Sequence, residues 1–236
     1  MKLIFFYLTF LLLAFTTSAQ TSITDTLVRH DQYKGRHLVR SFRLDLYLNQ
    51  LTDQPGSMDL RTWGSRGIAF GHHLHFKIVR KLYFTPGVDL SFDNYSFSAQ
   101  NTHLVLFHDS LMVVPNQVPD RNYKKSKLGL TYLDVPLELR FQSRRYWPRA
   151  VKLALGIKGG VLLKSMTKVK YRENGETIKE KEIRDFNVNR FRYGITARIG
   201  VGGLSLYGYY SLNRLFRDQK GPDATPFLVG ITFSSF

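Results

Sequence analysis

The chain has 236 residues, carries 34 Lys+Arg against 18 Asp+Glu for a net charge of +16, and is 43% hydrophobic and 14% aromatic. That much apolar content excludes a disordered chain. The absence of cysteine excludes disulfide frameworks, iron–sulfur clusters, thiolate zinc sites and thiol nucleophiles.

In chain order, the first signal is Lys2, then an apolar run over residues 3–15, then Thr17-Ser18-Ala19. Basic, apolar and small segments in that order predict a signal peptide over residues 1–19. The run is shorter than the roughly 20 apolar residues of a spanning helix. No cysteine follows Ala19 to take a lipid anchor. Residues 20–37 are expected to form an N-terminal periplasmic segment. Beyond residue 19 no apolar stretch is long enough to cross a bilayer as a helix, so a membrane role falls to strands.

From there the sequence alternates with period two. Eight segments show it: 41–49, 67–78, 82–92, 133–141, 151–161, 190–199, 204–212 and 227–233. Phe42, Leu44, Leu46 and Leu48 alternate with Arg43, Asp45 and Tyr47; Leu153, Leu155 and Ile157 alternate with Lys152, Ala154 and Gly156. Period two without a helical repeat predicts an all-β fold.

Connections alternate in length. Those at 79–81, 142–148 and 200–203 are short, whereas 50–66, 98–127 and 213–226 are long. Asn174-Gly175 is a type I′ hairpin signal, so residues 168–172 are expected to pair with 177–183 beyond the membrane. Tight turns at one end and long loops at the other predict an eight-stranded antiparallel up-and-down transmembrane β-barrel over residues 38–236.

A soluble, lipocalin-like barrel shows the same period with its apolar face inward. Lipid outside is favoured by small residues on the polar face (Gly67, Ala69, Gly71, Gly87, Ala154, Gly156, Gly160, Gly194) and by aromatics near strand ends (Tyr83, Phe84, Phe141, Tyr146, Trp147, Tyr209, Tyr210). Phe233 and Phe236 supply a candidate C-terminal insertion signal for the barrel-assembly machinery. The expected location is the outer membrane of a Gram-negative bacterium.

The segment Leu130-Thr131-Tyr132-Leu133-Asp134-Val135-Pro136-Leu137-Glu138-Leu139-Arg140-Phe141 resembles the fourth-strand signature of the PorT-like family of small bacterial outer-membrane barrels. Residues 191–200 resemble that family's sixth strand, and 206–212, 220–222 and 226–233 its closing hairpin. The resemblance covers most of residues 38–236. It implies an eight-stranded outer-membrane barrel and is nearly silent about activity. The namesake's part in protein secretion is not carried over.

Several constellations bear on chemistry. His73 and His75 share a face and could bind a metal, but His72 points the other way and no third ligand is fixed by spacing; lumen packing is the expected role, and no metal or cofactor is expected. The inward charges Arg43, Asp45, Asp89, Asp134, Glu138, Arg140, Lys152, Lys158, Arg190, Arg192 and Arg198 are expected to pair and fill the lumen, since isolated buried charges are costly and eight strands leave room only for side chains. His103, His108, Asp109 and Ser110 lie together in one external loop and are expected to be solvated rather than a hydrolytic triad.

Around Asn174-Gly175, interleaved lysines and glutamates are expected to form cross-strand pairs, which argues against nucleic acid as a partner. Arg121, Lys124, Lys125 and Lys127 are candidate contacts for lipopolysaccharide phosphates. Arg144, Arg145 and Arg149 are expected to anchor the periplasmic interface. The expected function is non-enzymatic: a structural, adhesion or envelope/secretion-assembly component acting through external loops on envelope partners. A lipid-modifying barrel enzyme and a soluble binding barrel are the alternatives.

Overall fold

The structure is a computed structural model describing residues 38–98, 102–107, 110–115, 122–143, 150–173 and 176–235. The expected signal peptide (1–19) and periplasmic segment (20–37) lie outside these residues, as do Arg144, Arg145, Tyr146, Trp147 and Arg149.

Among the described residues eleven strands form: β1 (Leu38–Thr52), β2 (Arg66–Val79), β3 (Leu82–Ser96), β4 (Thr102–Phe107), β5 (Ser110–Pro115), β6 (Asn122–Gln142), β7 (Val151–Glu173), β8 (Glu176–Ile183), β9 (Phe191–Val201), β10 (Leu204–Ser211) and β11 (Thr225–Ser234). Eight of them, β1-β2-β3-β6-β7-β9-β10-β11, pair antiparallel in a ring that β1 and β11 close, with Leu46 opposite Ile231. The fold is therefore a closed eight-stranded antiparallel barrel. Closure leaves the ring without a sheet edge, the condition for strands to cross a bilayer.

Alternation decides what each face meets. Leu133, Val135, Leu137, Leu139 and Phe141 stand outward and exposed on β6, while Asp134, Glu138 and Arg140 between them are buried. The outward stripe recurs around the ring, for instance Phe42, Phe70, Ile157, Ile195, Leu206 and Val229. Apolar outside and polar inside is the inverse of a soluble binding barrel, and it excludes that alternative. From Phe141 to Leu133 the stripe runs about 27 Å along the strand at roughly 3.4 Å per residue, or about 20 Å of height at a tilt near 40°, close to the apolar band of such barrels.

Three features were not anticipated. The 98–127 connection is not simply a loop, for it holds the β4–β5 hairpin and the start of β6. β7 and β8 pair in the expected register, with Lys168 opposite Lys181 and Arg172 opposite Thr177. However, β8 stops at Ile183 and β9 begins afresh at Phe191.

The third is a bulge. β6 and β7, of 21 and 23 residues, are about twice the length a membrane strand needs. Where Thr131 faces Lys164 and Tyr132 faces Leu162, one residue of β7 is passed over. Below that point the even positions Lys152, Ala154 and Lys158 are buried; above it the odd positions Ser165, Thr167 and Tyr171 are. An extra residue in a strand with period two exchanges its faces.

Candidate functional site

The lumen is filled by side chains in layers. β1 projects Arg43 and Asp45, β3 Asp89 and Asp93, β6 Asp134, Glu138 and Arg140, β7 Lys152 and Lys158, and β9 Arg192 and Arg198, and all are buried. Glycines on neighbouring strands make the room. A Cβ on Gly160 would lie 2.0 Å from Asp134 Oδ1, and one on Gly67 would lie 2.0 Å from the Tyr47 ring.

In the middle layer, Arg43 donates to Asp89 and to Glu138 at 3.0 Å each. Arg198 donates to Asp45 at 2.7 Å, and also to Glu138. The Thr232 hydroxyl donates to Asp45 at 2.6 Å and accepts from Arg198 Nε at 3.2 Å. Nearer the long loops, the Arg192 guanidinium grips both oxygens of Asp134, at 2.8 and 2.6 Å, and reaches Asp93 at 2.6 Å. Tyr47 donates to the other Asp93 oxygen at 2.7 Å.

Rings cover the cations. The Arg192 guanidinium lies 3.9 Å from the centre of the Tyr132 ring, Arg198 lies 4.2 Å from that of Tyr207, and Lys158 Nζ lies 4.2 Å from that of Tyr209. Charges removed from water persist when paired and hydrogen-bonded in this way, although Arg43 Nε and Asp89 Oδ1 are buried without a hydrogen bond.

Toward the tight turns lies a cavity of about 40 Å³ lined by Ser41, His73, His75, Thr85, Arg140 and Lys152, among others. It has room for roughly three water molecules. Ser41 Oγ meets His75 Nε2 at 2.7 Å, a contact reminiscent of a nucleophile–base pair. His75 Nδ1, however, faces the Thr85 hydroxyl at 3.0 Å and Arg140 at 3.5 Å, where a catalytic triad places a carboxylate. A guanidinium there opposes the imidazolium that general-base catalysis forms. Among the described residues no group of three His, Asp or Glu is arranged to hold a metal; His72 faces outward and is exposed.

The long-loop mouth is closed by a second, apolar layer that the sequence reading missed. Met58, Tyr95, Leu128, Leu130, Phe186, Val188, Leu215 and Phe216 form one buried cluster. Loop backbone is stitched around it: Val188 bridges to Phe216, and Asn189 Nδ2 donates to the carbonyls of Arg214 and Phe216 at 2.8 and 2.9 Å.

Of the eleven inward charges expected from sequence, Arg190 alone is misplaced. It is exposed, because β9 begins only at Phe191 and residue 190 no longer obeys strand parity. Asp93, Tyr47 and Tyr207 were overlooked as network members. Asp93 keeps the parity of Asp89 and Ser91, because β3 runs on to Ser96 rather than stopping at residue 92. Lys125 is exposed and Lys127 partly buried; the side chains of Arg121 and Lys124 lie outside the described residues. Phe233 stands exposed on the outer face, and Phe236 is not among the described residues. His103 and Ser110 fall in β4 and β5, whereas His108 and Asp109 are not described.

Residues 49–217 match the model of the outer membrane protein beta-barrel domain. The chain belongs to that family. This outer-membrane barrel closes its ring through β1 and β11, which lie largely outside the matched span. No curated protein matches it in sequence. Among solved structures, the attachment invasion locus protein Ail of Yersinia pestis is 12% identical over 83% of this chain and 97% of its own, with a TM-score of 0.34. A Rhodopseudomonas blastica porin triple mutant is 10% identical over 84% of this chain and 99% of its own, with a TM-score of 0.21. At such scores neither carries the assignment, which rests on the family match and the closed ring.

Proposed function

We propose that the protein is a non-enzymatic barrel whose lumen is structural and which serves the outer membrane through its external face, as an adhesion, structural or envelope/secretion-assembly component. The observation that carries this reading is the sealed interior. Eleven buried charged side chains span the lumen, and an apolar cluster caps it on the long-loop side. Among the described residues these layers fill the lumen, leaving a cavity of about 40 Å³ toward the tight turns, and His75 Nδ1 faces Thr85 and Arg140 where a triad would place a carboxylate. Within the family, the motifs on β6 and β9 support a place among the PorT-like barrels. Outer-leaflet lipids, lipopolysaccharide and other envelope proteins are the proposed partners, and Phe233 is proposed to take part in insertion.

The test is reconstitution into planar bilayers, paired with lipid A deacylation and acyl-transfer assays. Absence of steady single-channel currents and of lipid turnover is expected. Large, persistent currents would overturn the sealed-lumen reading, and turnover lost on Ser41→Ala would overturn the non-enzymatic one.

A further inference from the structure

In β8, Thr177-Ile178-Lys179-Glu180-Lys181-Glu182-Ile183, a period of two sorts the charges by face. Lys181 lies opposite Lys168 and Lys179 opposite Lys170. On the next pairing, Lys168 lies opposite Lys127 and Lys170 opposite Lys125. Two rows of three lysines therefore cross three adjacent strands. Partners opposite one another share a face, and this one is outward, since Ser126, Leu128, Thr167 and Tyr171 between them are buried. The acids go to the other side: Glu182 lies opposite Thr167, and Glu180 accepts a hydrogen bond from the Tyr171 hydroxyl at 2.6 Å. The cross-strand Lys–Glu pairing expected from sequence is thus overturned.

None of the six lysines has an ion-pair partner among the described residues. Like charges set opposite each other destabilise a sheet. Lys127 registers this: partial burial, then Lys125, Lys168 and Arg66, hold its ammonium below the usual lysine range. Such a face is complementary to a ligand bearing several anionic groups.

Position selects the ligand. Lys127 is six residues beyond Leu133, the last apolar outward residue of β6. That is about 20 Å along the strand, or roughly 15 Å above the apolar band, at the depth of headgroup sugars and phosphates. The rows face sideways across the membrane rather than away from the cell. Directly membrane-ward, where β8 ends and β9 begins, a cleft of about 610 Å³ opens in the outer wall. Leu163, Ile183 and Phe191 line it together with Lys164, Arg184, Arg190 and Asp185; Asp185 is paired with Arg217. Apolar lining membrane-ward of the lysine rows fits an acyl chain below a phosphorylated headgroup, not a soluble polyanion.

We propose that the six-lysine face of β6, β7 and β8, with the cleft below it, binds a phosphorylated outer-leaflet glycolipid of the lipopolysaccharide class. The proposal rests on the reading that the barrel works through its external surface.

The test uses the full chain in detergent, checked for heat-modifiable migration, with K168Q/K170Q/K179Q/K181Q and, as a control of equal charge change at the tight-turn end, R40Q/K77Q/R80Q/K81Q. Probes are purified lipopolysaccharide, its dephosphorylated form and heparin. Lipopolysaccharide affinity is expected to fall roughly tenfold or more in the first variant and on dephosphorylation, and to stay near wild type in the control. Equal affinity in both variants, an equal loss in both, or tighter binding of heparin than of lipopolysaccharide would each overturn the proposal. The bilayer-current assay is independent of these readouts, so the two readings can fail separately.

Discussion

Arg192 shows how much one side chain holds in this lumen. It neutralises Asp134 and Asp93 at once and lies under the Tyr132 ring. Arg192→Met leaves two carboxylates buried without their guanidinium, and breaking a buried pair in this way costs about 3–5 kcal/mol. Urea unfolding in detergent should show that loss, and Asp134→Asn in the same background should restore part of it by coupling. Lys127 has the opposite sign. Its folded-state pKa lies below that of the unfolded chain, so its charge opposes folding near neutral pH, and the penalty fades as pH rises through the folded value toward the unfolded one. Lys127→Met should therefore raise the unfolding midpoint in lipid-free detergent at pH 7, with the gain shrinking toward pH 11; a lowered midpoint at pH 7 would contradict the like-charge reading. At this scale the sequence was informative where strand parity held, as for Asp45 or Glu138. It failed at Arg190, where a strand that starts one residue later than expected moves a charge from lumen to solvent.

Elements divide the same way. The eight wall strands were readable because the bilayer imposes period two on each of them, and no loop packing can alter that pattern. The β4–β5 hairpin and the apolar cap were not. Their cluster residues, among them Phe186, Val188 and Phe216, lie in segments without periodicity, and only tertiary contact brings them together. Phe216→Ala should cost about 3–5 kcal/mol if the cap is packed as a core, without producing bilayer currents, because the charge layers beneath stay filled. Wild-type stability in that variant would mean the cap is loosely packed. Gly160→Val tests the wall itself: with no space between β7 and Asp134, the variant should lose the compact, heat-modifiable band, whereas Gly159→Ala, which meets nothing within 4 Å, should keep it.

For the molecule as a whole, the +16 net charge is a poor guide until it is apportioned. Among the described residues six buried cations meet five buried carboxylates in the lumen, so little of the excess is held there, and what the outer face displays bears on partners rather than on folding. The register shift between Thr131 and Tyr132 decides how that excess is displayed. Removing Leu163 should only straighten β7, because Lys164 then follows Leu162 as Thr131 precedes Tyr132 and every facing is kept. Removing Met166 with the bulge retained should swing Lys168 and Lys170 into the upper lumen and turn Thr167 and Tyr171 out, while leaving the transmembrane half in phase. The outward apolar stripe and the cationic surface thus belong to two independent reading frames joined by one extra residue. Length changes above the joint should be tolerated in pairs and disruptive singly, a parity rule that governs how this barrel's exterior can diversify without disturbing its wall.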